Sequence, residues 1–253
     1  MSELKGLLDT VQCRKLDKSI PGNALAKPPV GFVRSHYGIL LRKNWLDATF
    51  HFCQRGSYDT LLVDYLNCQR NPFTFVDIGA NQGLYSILAG HNKHCTKVFA
   101  FEPVASTFSL LKTNLDVNNV ADIVHPINAA VSVETGSTNI IKKPWHSGAA
   151  TLRKLPRWFR FTETIATLGP DKLRTLIHAE SDLIIKVDVE GHEKVVFEAL
   201  VASGLLSNAA ALFYEVNRRW SQQQDLETLL RAYGFKNFVN TSSNLTCDVL
   251  ATR

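Results

Sequence analysis

Three groups of residues in this 253-residue chain have the types and spacing that chemistry requires. The first is Asp77-Ile78-Gly79-Ala80-Asn81-Gln82-Gly83, a small polar loop led in by a carboxylate, with two glycines free to take positive φ. The second is Glu102-Pro103, about 20 residues past the glycines, where an acid commonly takes the ribose hydroxyls of an adenosine. The third is Asp188, Glu190 and His192, three polar groups within five residues, set around Gly191.

The first two groups define a ligand. A dinucleotide site wants G-x-G-x-x-G with a pyrophosphate on the helix N-terminus. Here Asn81 stands at the second glycine position, no third glycine follows in place, and Asp77 would repel a pyrophosphate. A carboxylate at that point suits a ligand carrying an ammonium and a sulfonium, so the expected cofactor is S-adenosyl-L-methionine rather than NAD. Asp77, Gly79, Ala80, Asn81 and Gly83 are expected to cradle its methionyl part, and Glu102 with Pro103 to hold the ribose end. The third group defines a reaction. A hydroxyl is a poor nucleophile at neutral pH and needs a base within hydrogen-bond reach. Asp188 and His192 are the candidates, with Glu190 orienting either one and Asp188 also close to the cofactor. A structural reading stands beside this one: Lys186 and Glu190 as an ion pair, His192 as a helix cap. An Asp188–Glu190 pair would also suit a divalent cation, but no further ligands can be placed, so no metal is assigned. His91, His94 and Cys95 read as ordinary loop residues.

The elements that must position these groups are legible. Phe73 to Ile78 is a short apolar run that suits a strand buried on both faces. Leu84, Ile87 and Leu88 have helical spacing up to Gly90, and Lys97 to Phe101 is a second strand ending at Glu102. Strand, glycine loop, helix, strand and acid form a βαβ nucleotide-binding unit, with bare N–H groups at the helix start expected to meet the ligand. Asp182 to Val189 reads as a strand at period two, with Ile184, Lys186, Asp188 and Glu190 on one side. A helix follows from His192 to Leu200.

DIGANQG, then FEP, then KVDVEGHE, together resemble the FkbM family of S-adenosylmethionine-dependent O-methyltransferases, from about Asp47 to the C-terminus. The resemblance implies an α/β, Rossmann-like class I methyltransferase fold: a seven-stranded, mostly parallel sheet, helices on both faces, and an antiparallel C-terminal strand. It implies methyl transfer to a hydroxyl of a sugar, glycolipid or small natural product. It also implies that a helix over Tyr58–Leu66 lids the cofactor. Asn128, closing the third strand candidate Asp122–Ile127, is a candidate for the adenine edge; the alternative is a turn residue satisfying its own backbone. The later strands are expected over Ala209–Val216, Phe235–Val239 and Thr246–Ala251, with a helix around Leu226, Leu229 and Leu230.

The remainder of the chain is less specific. Residues 1–46 read as an amphipathic helix (Leu4, Leu7, Leu8, Val11), a proline-rich linker and the start of a hairpin over Tyr37–Phe52. Residues 47–253 read as one methyltransferase domain. The helix is expected to pack on the domain or on the mate of a homodimer. Residues 142–160 hold Lys142, Lys143, Arg153, Lys154, Arg157 and Arg160 with Trp145, Trp158 and Phe159 and no acid. Such a mixture can hold a phosphate backbone or stack a sugar, so RNA is the alternative acceptor. A non-catalytic module that keeps the fold is the reading from another class. A net charge of +5 allows an acidic partner without demanding one. Five scattered cysteines, no apolar leader and no membrane-length run make the expected location cytoplasmic.

Overall fold

The structure, a computed structural model, describes residues 27–58, 60–143, 145–152, 161–217, 223–241 and 246–253. The predicted N-terminal helix lies outside these residues.

The chain first forms a small antiparallel hairpin, β1 (Phe32–Arg34) with β2 (Leu40–Arg42). The hairpin expected over Tyr37–Phe52 is therefore displaced, and its second half is a helix, α1 (Ala48–Arg55). Local capping outweighs the alternating pattern there: Asp47 Oδ1 accepts from Phe50 N at 2.8 Å, and Gly56 closes the last turn. The next helix, α2, spans Leu61–Cys68.

The central sheet then builds outward from β3 (Phe73–Ile78), whose six residues are all buried. Its neighbours are β4 (Cys95–Phe101) and β10 (Asp182–Val187), both parallel to it. Beyond β4 lies β5 (Val124–Ile127). Beyond β10 lie β11 (Ala209–Asn217), β13 (Thr246–Thr252) and β12 (Asn237–Asn240). The order is β12-β13-β11-β10-β3-β4-β5, and β13 alone runs against the rest. This is the predicted seven-stranded sheet of a class I methyltransferase.

Alternate residues of each strand feed two cores. Phe75, Val98 and Ile184 pack under α2, α3 (Leu84–His91) and α4 (Ala105–Val117). Val76, Phe99 and Ile185 pack under α5 (Pro170–Leu176), α6 (Glu193–Ser203) and α8 (Gln223–Ala232), with the short α7 (Leu205–Asn208) beside them. Burial on both faces explains the continuous apolar runs. The hairpin is stitched to α4 by two asparagines. Arg42 N donates to Asn114 Oδ1, while Asn118 Oδ1 and Nδ2 pair with the N–H and C=O of Leu40.

A second sheet was not foreseen. Between β5 and α5 the chain inserts β6 (Ala130–Val131), β7 (Gly136–Lys143), β8 (His146–Thr151) and β9 (Phe161–Leu168), ordered β6-β9-β7-β8. Its own core is small, built on Val104, Ile140 and Ile165. Cys53, Cys95 and Cys247 are all buried. Among the described residues, no helix is long and apolar enough to cross a membrane.

Candidate active site

The parallel strands end at one edge of the central sheet, and a cavity of about 260 Å³ opens there. Its lining includes Gly79, Asn81, Glu102 and Pro103 from the first half of the sheet. Asp188, Glu190 and His192 line it from the exit of β10, and Glu215 from β11. Phe52 and Tyr58 come from the lead-in region, and Ile140, His146 and Ser147 from the insert. So two of the three sequence groups meet the third in one space.

Close approach explains the glycine. Gly79 has φ +82°, and a Cβ at this position would run into the carbonyl oxygen of Asp188. The N–H groups of the loop itself are engaged. Those of Gly79 and Ala80 donate to Phe101 O, that of Asn81 to Glu102 Oε2, that of Gln82 to Asn81 Oδ1 and that of Gly83 to Ala80 O. A loop with these donors spent has no nest to offer a pyrophosphate.

Glu102 is almost fully buried, and its Oε1 accepts from Val104 N at 2.9 Å while Oε2 accepts from Asn81 N at 3.0 Å. Burial pushes its carboxyl up to about 7, against those two hydrogen bonds. Asp77, by contrast, is fully buried and does not line the cavity. The register sets it opposite Lys186, whose Nζ lies 3.2 Å from Asp77 Oδ1, 3.6 Å from Asp188 Oδ2 and 3.0 Å from Gly79 O. Ser86 Oγ donates to the other Asp77 oxygen at 2.6 Å. Burial would lower the Lys186 pKa, but Asp77 and Asp188 outweigh it and raise it. Lys186 thus joins the loop, β3 and β10, instead of pairing with Glu190.

Ala80, Gly83 and Asn128 also stay outside the lining. Asn128 Nδ2 donates to the carbonyls of Glu102 and Pro103, so its amide holds the turn that carries Glu102.

The strand expected to run to Val189 stops at Val187, because Glu190 (φ 51°) and Gly191 bend the chain sharply. The bend brings Asp188, Glu190 and Glu215 together, with one oxygen of each within 4.8 Å of the others. Glu190 is pushed up to about 7 by burial and then by Asp188 and Glu193. Glu215 is pushed up to about 9 by burial, then by Asp188 and Glu190. Protons shared within the cluster relieve its crowding. Sequence reading placed Glu215 only at a strand exit; its part in the cluster comes from the pairing of β10 with β11. His192 is the N-terminal flanking residue of α6 but makes no capping hydrogen bond. Its Nε2 is buried without a hydrogen-bond partner, and burial lowers its pKa below the ordinary value.

Asp47 is a further organiser that the sequence did not flag. Besides capping α1, its carboxylate accepts from Gln82 Nε2 at 2.9 Å and from Ser147 N at 2.8 Å. The Ser147 hydroxyl lies 3.1 Å from Asp47 Oδ1 and 3.0 Å from Asn81 Oδ1. One acid therefore ties the lead-in helix, the glycine loop and the insert. In the basic-aromatic segment, Lys142 is paired with Glu163 at 2.6 Å and Trp145 is exposed. Arg153, Lys154, Arg157, Trp158, Phe159 and Arg160 lie outside the described residues.

These features agree with what the chain is similar to. Methyltransferase sdnD of Sordaria araneosa is 33% identical over 127 residues, covering 50% of this chain and 47% of that protein. The chain therefore spans about half the length of that curated relative. A crystal structure of Methyltransferase FkbM from Methylobacillus flagellatus KT superposes with a TM-score of 0.50 at 16% identity, over 71% of this chain and 43% of that one, a likeness of fold. The sequence profile described as the Methyltransferase FkbM domain matches residues 77–236, which hold the glycine loop, Glu102 and the β10 exit. The chain belongs to the FkbM methyltransferase family.

Proposed function

We propose that this protein is an S-adenosyl-L-methionine-dependent O-methyltransferase acting on a hydroxyl of a sugar, glycolipid or small natural product. The observation that carries the reading is one cavity lined both by Glu102 and the glycine loop and by a buried, unpartnered His192. The residues fit the cofactor: Gly79 leaves room where a side chain would collide, and the spent loop amides leave no place for a pyrophosphate. Gly79 and Asn81 would border the methionyl part, and Glu102, which still has free lone pairs, would accept from the ribose hydroxyls. When bound, the cofactor supplies an electrophilic methyl group. His192, neutral at pH 7 because burial lowers its pKa, takes the acceptor's proton at Nε2. Asp188 is held by Lys186, and Glu190 shares the mouth of the site, so both shape the acceptor's position.

Calorimetric titration with S-adenosylhomocysteine tests the cofactor half. Micromolar binding to wild type should weaken about 10- to 100-fold in Glu102→Ala, the range for hydrogen bonds to a charged group. Absence of binding to folded wild type would remove the reading. For the acceptor half, His192→Asn should keep that affinity while methyl transfer across a hydroxyl-acceptor panel falls about 100-fold or more. Full turnover in His192→Asn would move the base to Asp188.

A further inference from the structure

Few large apolar side chains are exposed among the described residues, and four of them collect at one place. Trp45 is 55% exposed, Leu46 76%, Trp145 67% and Phe52 40%. They come from two segments about 100 residues apart: the loop before α1 together with α1 itself, and the turn between β7 and β8. Ala48 N donates to Trp145 O at 2.9 Å, and Ser147 N to Asp47 Oδ2, so the two segments are clamped side by side. The clamp sits on the rim of the cavity, whose lining includes Thr49, Phe52, His146 and Ser147.

The two segments that carry the patch are poor in acids. From Arg42 to Arg55 the chain contains a single acid, Asp47, which is buried and engaged in the clamp. From Gly136 to Leu152 it contains none. Lys43 and Lys143 are exposed beside the apolar side chains. Exposed tryptophan and leucine flanked by lysine is the composition that settles at a bilayer interface, rings at headgroup level and ammonium groups on anionic lipid.

We propose that this rim docks on an anionic membrane surface, with Trp45, Leu46 and Trp145 entering the headgroup region and Lys43 and Lys143 meeting lipid phosphates. The cavity then opens beside the bilayer, and an acceptor presented from it would reach the site without crossing water. A lipid surface fits better than RNA. Leu46 cannot stack on a base, and Lys142, the other cation of the turn, is neutralised by Glu163. The docking surface stands apart from the methyl-transfer reading, since it uses none of the residues assigned to cofactor or acceptor chemistry.

The test is co-sedimentation of the full chain with vesicles of phosphatidylcholine, with and without phosphatidylserine. The expected result is binding to the anionic vesicles, at least tenfold weaker in Leu46→Ser/Trp145→Ser. In Lys43→Gln it should weaken roughly fivefold, as it should in Lys143→Gln, the effect expected of one lysine near an anionic surface. Circular dichroism and a thermal melt confirm that each variant is folded. Failure of folded wild type to bind either vesicle overturns the proposal, as does equal binding by the leucine–tryptophan variant. Salt-sensitive binding to single-stranded RNA without vesicle binding overturns it in favour of a nucleic acid. A wild-type dimer that the double variant dissolves, again without vesicle binding, overturns it in favour of a second copy of the chain.

Discussion

The two sheets are built to different standards. In the central sheet β3 is wholly buried and β10 is exposed only at its first residue, with helices over both faces. In the inserted sheet, by contrast, β7 has four exposed residues before its first buried one, and β9 alternates around Ile165 and Thr167. The central sheet carries the glycine loop, Glu102 and Asp188, while the insert contributes Ile140, His146 and Ser147 to the opposing lining. The difference teaches where tolerance lies. The half that carries the glycine loop is fixed by dense packing, and the insert is a thinner wall.

The sharpest way to break the central half is Gly79→Ala. Its Cβ would run into the backbone of Asp188 at a positive φ, and no flexible side chain can yield. We expect a loss above about 4 kcal/mol, read as failure to recover folded protein or a collapsed thermal midpoint. Lys186→Met comes next. It strands Asp77 in the core without a cation, at a cost of about 3 kcal/mol or more in denaturant titration. A matched pair then compares the two sheets. Ile185→Ala in the central core should cost about 3 kcal/mol, whereas Ile140→Ala should cost less than half of that. Since Ile140 lines the cavity, its truncation should shift acceptor preference and leave S-adenosylhomocysteine affinity within about twofold of wild type. Equal stability losses would show that the insert is as well packed as the frame.

A pH dependence completes the set. Burial, then Asp188 and Glu190, raises the Glu215 carboxyl to about 9 in the folded chain, from an ordinary value of 4.5. The folded state therefore holds the proton across a window in which the unfolded state has lost it. Its stabilising contribution is complete below the lower value and is lost as pH rises through the upper one. Wild type should lose thermal stability as pH rises from about 4.5 to about 9, and Glu215→Gln should lose less. Unchanged turnover on adding a chelator would assign the cluster to protons rather than to a cation.

Much of the frame was legible because burial on both faces leaves unbroken apolar runs. Phe73–Ile78 and Asp182–Val187 announce themselves, and the turns between them are forced by glycines. The insert was not legible, because GSTNIIKK and FTETIATL alternate weakly and bury only a few side chains. Lys186 was seen, but its partner was not. Cross-strand register set it against Asp77, 109 positions away, rather than against Glu190 four positions on. Asp47 escaped notice altogether, since a cap needs only a neighbour but a clamp needs a distant one. The resemblance supplied the family, and the motifs that carried it fall in the region the family profile matches.

The Asp47 clamp has a consequence for the order of assembly. Its partners lie 35 and 100 residues away, at Gln82 and Ser147. Loop closure over such spans is repaid only after the intervening strands have paired. The clamp should therefore close only after the sheet that carries the glycine loop has formed.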